Sequence, residues 1–151
     1  MNSHDTVQKY FEFLSYSFIV STQYEKIYPI DPIITKVIGI FSGKTIDIRH
    51  RIEMIILRHL LNSQEVSMFG LDLIRWPYFW SSDKGKEIDF VEDTKTTLLP
   101  LEVKYQNTIS PGDYIGMRKV FGKGIIMTKS TIFIDGGIVG IPAWLFVSLV
   151  K

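Results

Sequence analysis

Residues Lys86–Tyr105, KEIDFVEDTKTTLLPLEVKY, decide how this chain is read. Two runs rich in apolar residues flank a polar, turn-like centre from Glu92 to Thr97, and Leu98 starts the return run. Side chains alternate across a strand, so Glu102 and Lys104 share one face while Leu99, Leu101, Val103 and Tyr105 share the other. Asp89 is set apart from Ile88 and Phe90 in the same way. Asp89 and Glu102 are equidistant from the midpoint at Lys95 and Thr96, so an antiparallel hairpin places them side by side. The pattern predicts a hairpin with an apolar back and a solvent-facing front that carries two carboxylates and an ammonium.

Those residue types suit one chemistry well. Mg2+ is a hard cation that takes oxygen ligands and is commonly held by one or two carboxylates, phosphate and water. Asp89 and Glu102 would be the ligands, with the Val103 carbonyl between them as a third. Lys104 would hold a water or neutralise charge developing on a phosphate. The residues alone leave a second reading open, a solvated hairpin face with an ordinary cross-strand Glu–Lys pair.

The segment is similar to the signature of the PD-(D/E)XK phosphodiesterases, the restriction-endonuclease-like superfamily. Within it, GKEIDFV followed by LPLEVKY most resembles the C-terminal domain of archaeal and bacterial AAA-type ATPases of poorly defined function. KIYPIDPII, PYFWSSDKGKEIDF, GIIMTKS and IPAWLFVSLV extend the likeness over most of the chain. The resemblance implies an α/β fold with an α-β-β-β-α-β core, its mixed sheet flanked by helices, after an N-terminal helix and extended segment. It also implies Asp89, Glu102 and Lys104 as metal and catalytic positions, and Glu53 as the helix carboxylate that assists the metal. One departure is that the first acidic element is reduced to Asp89 without an adjacent proline. Residues 1–30 would be the N-terminal piece, a possible remnant of a winged-helix unit, and 31–151 the nuclease-like domain.

Composition agrees with a globular domain. The chain has 151 residues, 46% hydrophobic and 22% charged, enough for one real core. Without cysteine, neither a disulfide framework nor a thiolate metal site is available. No signal peptide is visible and PAWLFV is too short to span a bilayer, so a cytoplasmic protein without a membrane role is expected. A net charge of +1 shows no basic excess of the kind common in DNA binders. A bound cation would shift that balance locally, leaving Lys84, Lys86, Lys104, Arg118, Lys119, Lys123 and Lys129 either as a phosphate track or as dispersed solvating charges.

Along the chain, Asp5 or Thr6 starts a helix whose stripe is Val7, Tyr10, Phe11, Leu14 and Phe18. Gln23–Ile30 reads as extended. Asp47 caps a second helix running to about Asn62, with Glu53 on the flank of its apolar stripe. Leu71–Trp80 reads as extended. Ser110, Pro111 and Asp113 write a helix start whose Ile115, Val120 and Phe121 face the sheet, and Gly122 or Gly124 ends it. Ile125–Thr128 is a buried central strand, Thr131–Ile141 a hairpin, and Pro142 opens a terminal helix carrying Trp144, Leu145 and Leu149. Two motifs imitate nucleotide sites. Gly39–Thr45 has three residues between its glycines where a phosphate loop needs four, and Thr131–Asp135 has the outline of an acidic strand.

The expected function is therefore a Mg2+- or Mn2+-dependent nuclease contacting DNA through its backbone. The alternative is a non-catalytic module that docks DNA, forms a homodimer or regulates a AAA-type ATPase. An RNA-cleaving toxin or defence nuclease is a third option.

Overall fold

The computed structural model describes residues 9, 20–23, 26–29, 31–43, 45–62, 77–83, 85–94 and 96–150. In chain order its elements are β1 (Val20–Gln23), β2 (Lys26–Pro29), α1 (Pro32–Ser42), α2 (Ile48–Asn62), β3 (Tyr78–Ser81), β4 (Glu87–Asp93), β5 (Leu98–Lys104), α3 (Pro111–Phe121), β6 (Gly124–Thr128), β7 (Phe133–Asp135), β8 (Ile138–Pro142) and α4 (Ala143–Leu149). Contacts divide the chain into two units, 1–55 and 56–151, with the boundary inside α2. The helix expected over Val7–Phe18 and the extended stretch before Pro77 fall outside the described residues, apart from helical Lys9.

In the first unit β1 and β2 pair antiparallel, Gln23 opposite Lys26. Helix α1 contacts β2 and was not anticipated. Its apolar residues Ile33, Ile34, Val37, Ile38, Ile40 and Phe41 form one stripe opposite Thr35, Lys36, Gly39 and Ser42, and all of them but Ile34 are exposed. Its ends are also written in the chain. The Asp31 carboxylate accepts the Ile33 N–H at 2.8 Å, Pro32 takes the first turn, and Gly43 closes the helix at φ 66°. Gly39–Ser42 thus belong to a helix, and no strand runs into them, which removes the phosphate-loop geometry. Asp47 accepts the Arg49 N–H at 2.9 Å and opens α2, as expected.

In the second unit six strands form one mixed sheet in the order β3-β4-β5-β6-β8-β7. β3, β4 and β5 are antiparallel; β6 runs parallel to β5 and to β8, and β7 returns antiparallel at the far edge. The parallel step from β5 to β6 needs a crossover, and α3 supplies it. Strand β6 is central and almost wholly buried, as its apolar run implied.

Helix α3 is fixed at both ends. Ser110 N–H donates to the Asp113 carboxylate at 2.7 Å and Asp113 N–H to the Ser110 carbonyl at 3.0 Å; Gly122 in the left-handed region donates to the Arg118 carbonyl. It buries Tyr114 and Met117 against Ile88, Val91, Ile126 and Ile138, each worth about 1.5–3 kcal/mol on full burial. The face therefore differs from the expected Ile115–Val120–Phe121 set. Phe121 packs at its margin, but Val120 is 51% exposed, because the helix is rotated to place Tyr114 over Phe133. In α4 the buried pair is Ala143 and Phe146, one turn apart, while Trp144 and Leu149 are exposed. Asp135, the acidic residue of the second imitation motif, has a structural task. It accepts from Tyr114 Oη at 2.7 Å and Arg118 Nη1 at 3.0 Å, tying α3 to the β7–β8 turn.

Gly137 passes so close to Gly122 that a Cβ would overlap its carbonyl group. That backbone cannot yield without breaking the α3 cap and the 3.1 Å Gly124 N–H bond to the Gly137 carbonyl. Gly137→Ala is expected to cost about 2 kcal/mol, read as a lowered urea midpoint. Gly112→Ala, which meets only Ser110 Oγ at 3.6 Å, should leave the midpoint unchanged or slightly raised.

Candidate functional site

The β4–β5 ladder runs from Asp93 opposite Leu98 to Phe90 opposite Leu101, the register read from the sequence. One step further would set Asp89 against Glu102, and there the backbone ladder gives way. On the other side of β4, Tyr78 pairs with Val91 but Trp80 pairs with Ile88, so two steps on β3 span three on β4. The extra residue falls at Asp89–Phe90 and makes a bulge. It resets the alternation, so Ile88 and Val91, three apart, enter one core cluster. The break at the ladder is repaired by a side chain: Val103 N–H donates to Asp89 Oδ2 at 2.8 Å. Asp89 is thereby held half-buried against β5.

Glu102 and Lys104 do share a face, as alternation required, and form an ion pair at 2.6 Å. That face is not open to solvent as expected. The start of α3 covers it, leaving the Glu102 side chain 12% and the Lys104 side chain 27% exposed. Together with Lys86, Glu87 and Asp113 they line an open cleft of about 210 Å³, backed by Trp80, Ile88 and Met117.

Burial pushes the Glu102 carboxyl up from its ordinary range; Lys104 opposes that shift, and the charges of Asp89 and Asp113 add to it. Asp113 is held low by the Ser110 N–H it accepts at the helix start. The capping-box pattern had marked Asp113 only as a helix signal; its position at the first turn after a Glu-x-Lys strand also brings it to the cleft.

Asp89, Glu102, Val103 and Lys104 thus lie together. Glu53 is a buried residue of α2 within the first unit. Of the basic residues, Lys86 and Lys104 line the cleft, whereas Arg118 is bound to Asp135 and Lys123 to the Thr97 hydroxyl; Lys84 is outside the described residues. On the outer part of β4, Glu92 is also pushed up by burial, and its Oε1 has no hydrogen-bond partner among the described residues. It does not line the cleft.

Among the described residues no three or more His, Cys, Asp or Glu side chains are grouped to hold a metal ion. Two carboxylates and one carbonyl remain, a hard oxygen set that fits Mg2+ or Mn2+ completed by water. The crowding of Asp89, Glu102 and Asp113 charge supplies an electrostatic reason for a cation there.

Fold and cleft define a mixed α/β domain with a half-buried carboxylate–ammonium pair at the end of a central hairpin. The chain belongs to the family described as Domain of unknown function (DUF4143), which matches residues 50–145. No curated protein and no solved structure shows a match to it. Among the described residues no helix is long and apolar enough to cross a membrane.

A carboxyl whose pKa is raised on folding binds its proton more tightly in the native state, so it subtracts stability as pH rises through the unfolded and then the folded value. Glu102→Gln removes that penalty. Its melting temperature is expected to exceed wild type at pH 7, with the gap closing towards pH 4 as wild-type Glu102 takes up its proton. Thermal denaturation across this range checks it; a variant less stable at pH 7 would show that the Lys104 pair outweighs the burial cost.

Proposed function

We propose that this domain is a metal-dependent nuclease of the PD-(D/E)XK type acting on DNA. The observation that carries the reading is the half-buried Glu102–Lys104 pair on β5, with Asp89 of β4 bonded to Val103 N–H between them. The order α2-β3-β4-β5-α3-β6 also matches the α-β-β-β-α-β succession that the resemblance implies. Asp89, Glu102 and the Val103 carbonyl would hold Mg2+ or Mn2+. When bound, the ion supplies Lewis acidity and a water of lowered pKa.

The remaining chemistry belongs to the chain. Lys104 presents an ammonium beside Glu102, where it orients a water or offsets charge growing on a phosphate oxygen. The α3 cover limits water around both groups and so strengthens their field. DNA would be held by its backbone; the chain has no strong basic excess, and a cation offsetting Asp89 and Glu102 would leave Lys86 and Lys104 to meet phosphate. A AAA-type ATPase, joined to this domain or working with it, is the natural partner, and a cytoplasmic setting fits.

A second reading has its own support. The direct 2.6 Å contact between Glu102 and Lys104, without a third acidic ligand grouped beside them among the described residues, is also what a purely structural pair would show. The domain would then be a non-catalytic docking or dimerisation module.

Cleavage of labelled DNA by the purified chain with Mg2+ or Mn2+ separates the two. Wild type should cut only with metal, and Asp89→Asn, Glu102→Gln and Lys104→Ala should each lose about 100-fold or more, in line with removing a metal ligand or a transition-state charge. Asp89→Asn should keep its fold, because an amide oxygen still accepts the Val103 N–H. Metal-independent binding without cutting would establish the docking module instead.

A further inference from the structure

The cleft is too small for a nucleotide. At about 210 Å³ it lies below the roughly 300–1,000 Å³ of sites that enclose small organic ligands. An ion and one phosphate group fit; a base must lie outside, on the adjoining surface. That surface is β3, the edge strand next to β4. Tyr78 is opposite Val91 and Trp80 opposite Ile88, and Val91 and Ile88 belong to the core cluster beneath α3. Tyr78 and Trp80 therefore stand on the sheet face that carries the cleft. Trp80 lines the cleft itself and is braced by Phe121, ring centroids 5.9 Å apart in an edge-to-face contact. Tyr78 is 56% exposed, an aromatic ring displayed on the surface.

We propose that Tyr78 and Trp80 form a pair of stacking platforms for unpaired bases, making a single-stranded segment the preferred nucleic-acid ligand of this site. The proposal rests on the reading of the cleft as a nucleic-acid site and names the substrate class that reading leaves open. Residues two apart on a strand are separated by roughly 6.8 Å, twice the ~3.4 Å rise between stacked bases of one duplex strand. Bases seated on neighbouring platforms are thus pulled apart from each other, which a paired duplex resists and a single strand permits. Aromatic faces accept any base, so the site would tolerate sequence. Lys86 and Lys104 line the same cleft as Trp80; Glu87, Glu102 and Asp113 line it too, but Lys104 is paired with Glu102 and Lys86 is in no ion pair among the described residues, which leaves the Lys86 ammonium for a phosphate. Lys86 also lies along α3, its Cδ next to Gly116, so its ammonium has a short route to a phosphate that follows a base on Trp80.

The test separates binding from cutting. Anisotropy of a labelled oligothymidylate and of a duplex of equal length is measured in EDTA, where no metal-dependent cleavage occurs, and cleavage of both is then measured with Mn2+. The single strand should bind at least tenfold more tightly than the duplex. Tyr78→Ser should weaken single-strand binding about tenfold without changing its salt dependence, since no phosphate contact is lost. Lys86→Ala should instead reduce the salt slope. Tyr78→Ser carries the argument because that side chain is mostly exposed; Trp80→Leu, which also loses the Phe121 contact, is the second variant, accepted only if its melting curve matches wild type.

Equal affinity for duplex, or full single-strand affinity in Tyr78→Ser, overturns the platforms even if the protein cuts duplex DNA and the nuclease reading stands. Tyr78-dependent single-strand binding without any cleavage sustains the platforms while the nuclease reading falls. Absence of binding to either nucleic acid overturns the platforms, and absence of cleavage in Mn2+ as well overturns the nuclease reading.

Discussion

The site depends on one hydrogen bond, from Val103 N–H to the Asp89 carboxylate. A bulge at Asp89–Phe90 would otherwise leave β4 and β5 poorly joined at the end that matters, with a half-buried backbone donor in need of a partner. Using a side chain to close the ladder has two consequences. It locks Asp89 beside Glu102, and it allows Ile88 and Val91 to enter the same core layer despite their odd spacing. The distortion that gathers the acidic groups also secures the apolar layer behind them.

Helix α3 turns that hairpin into a cleft. Its first turn is held by the Ser110–Asp113 box, its middle by Tyr114 and Met117 in the core, and its last turns by the bond from Arg118 to Asp135. Fixed in this way, it lowers the exposure of Glu102 and Lys104 and brings a third carboxylate, Asp113, near them. A fold selected for stability alone gains little by burying acidic groups near one another, because desolvation and like charge both oppose ionisation.

The legible part of the molecule was that governed by near neighbours. Alternation put Glu102 and Lys104 on one face, the Lys95–Thr96 midpoint set the hairpin register, and Asp47, Ser110–Pro111–Asp113 and Gly122 marked helix ends correctly. Helix α1 carries local signals as well, its caps Asp31 and Gly43 and an apolar stripe at Ile33, Ile34, Val37, Ile38, Ile40 and Phe41; only the exposure of that stripe is not written in the chain. Burial was read less well. Tyr114 and Met117 replaced two of the three expected α3 contacts.

By itself, then, the sequence determined the hairpin, its register, the helix caps and the residue types of the site, because each follows from backbone geometry over a few residues. Tertiary structure alone decided that the polar face of the hairpin is covered, that β4 bulges at Asp89, that Asp113 joins the cleft and that Trp80 lines it. These depend on which element packs where, and that is set by the fit of distant side chains in a shared core, which no local pattern records.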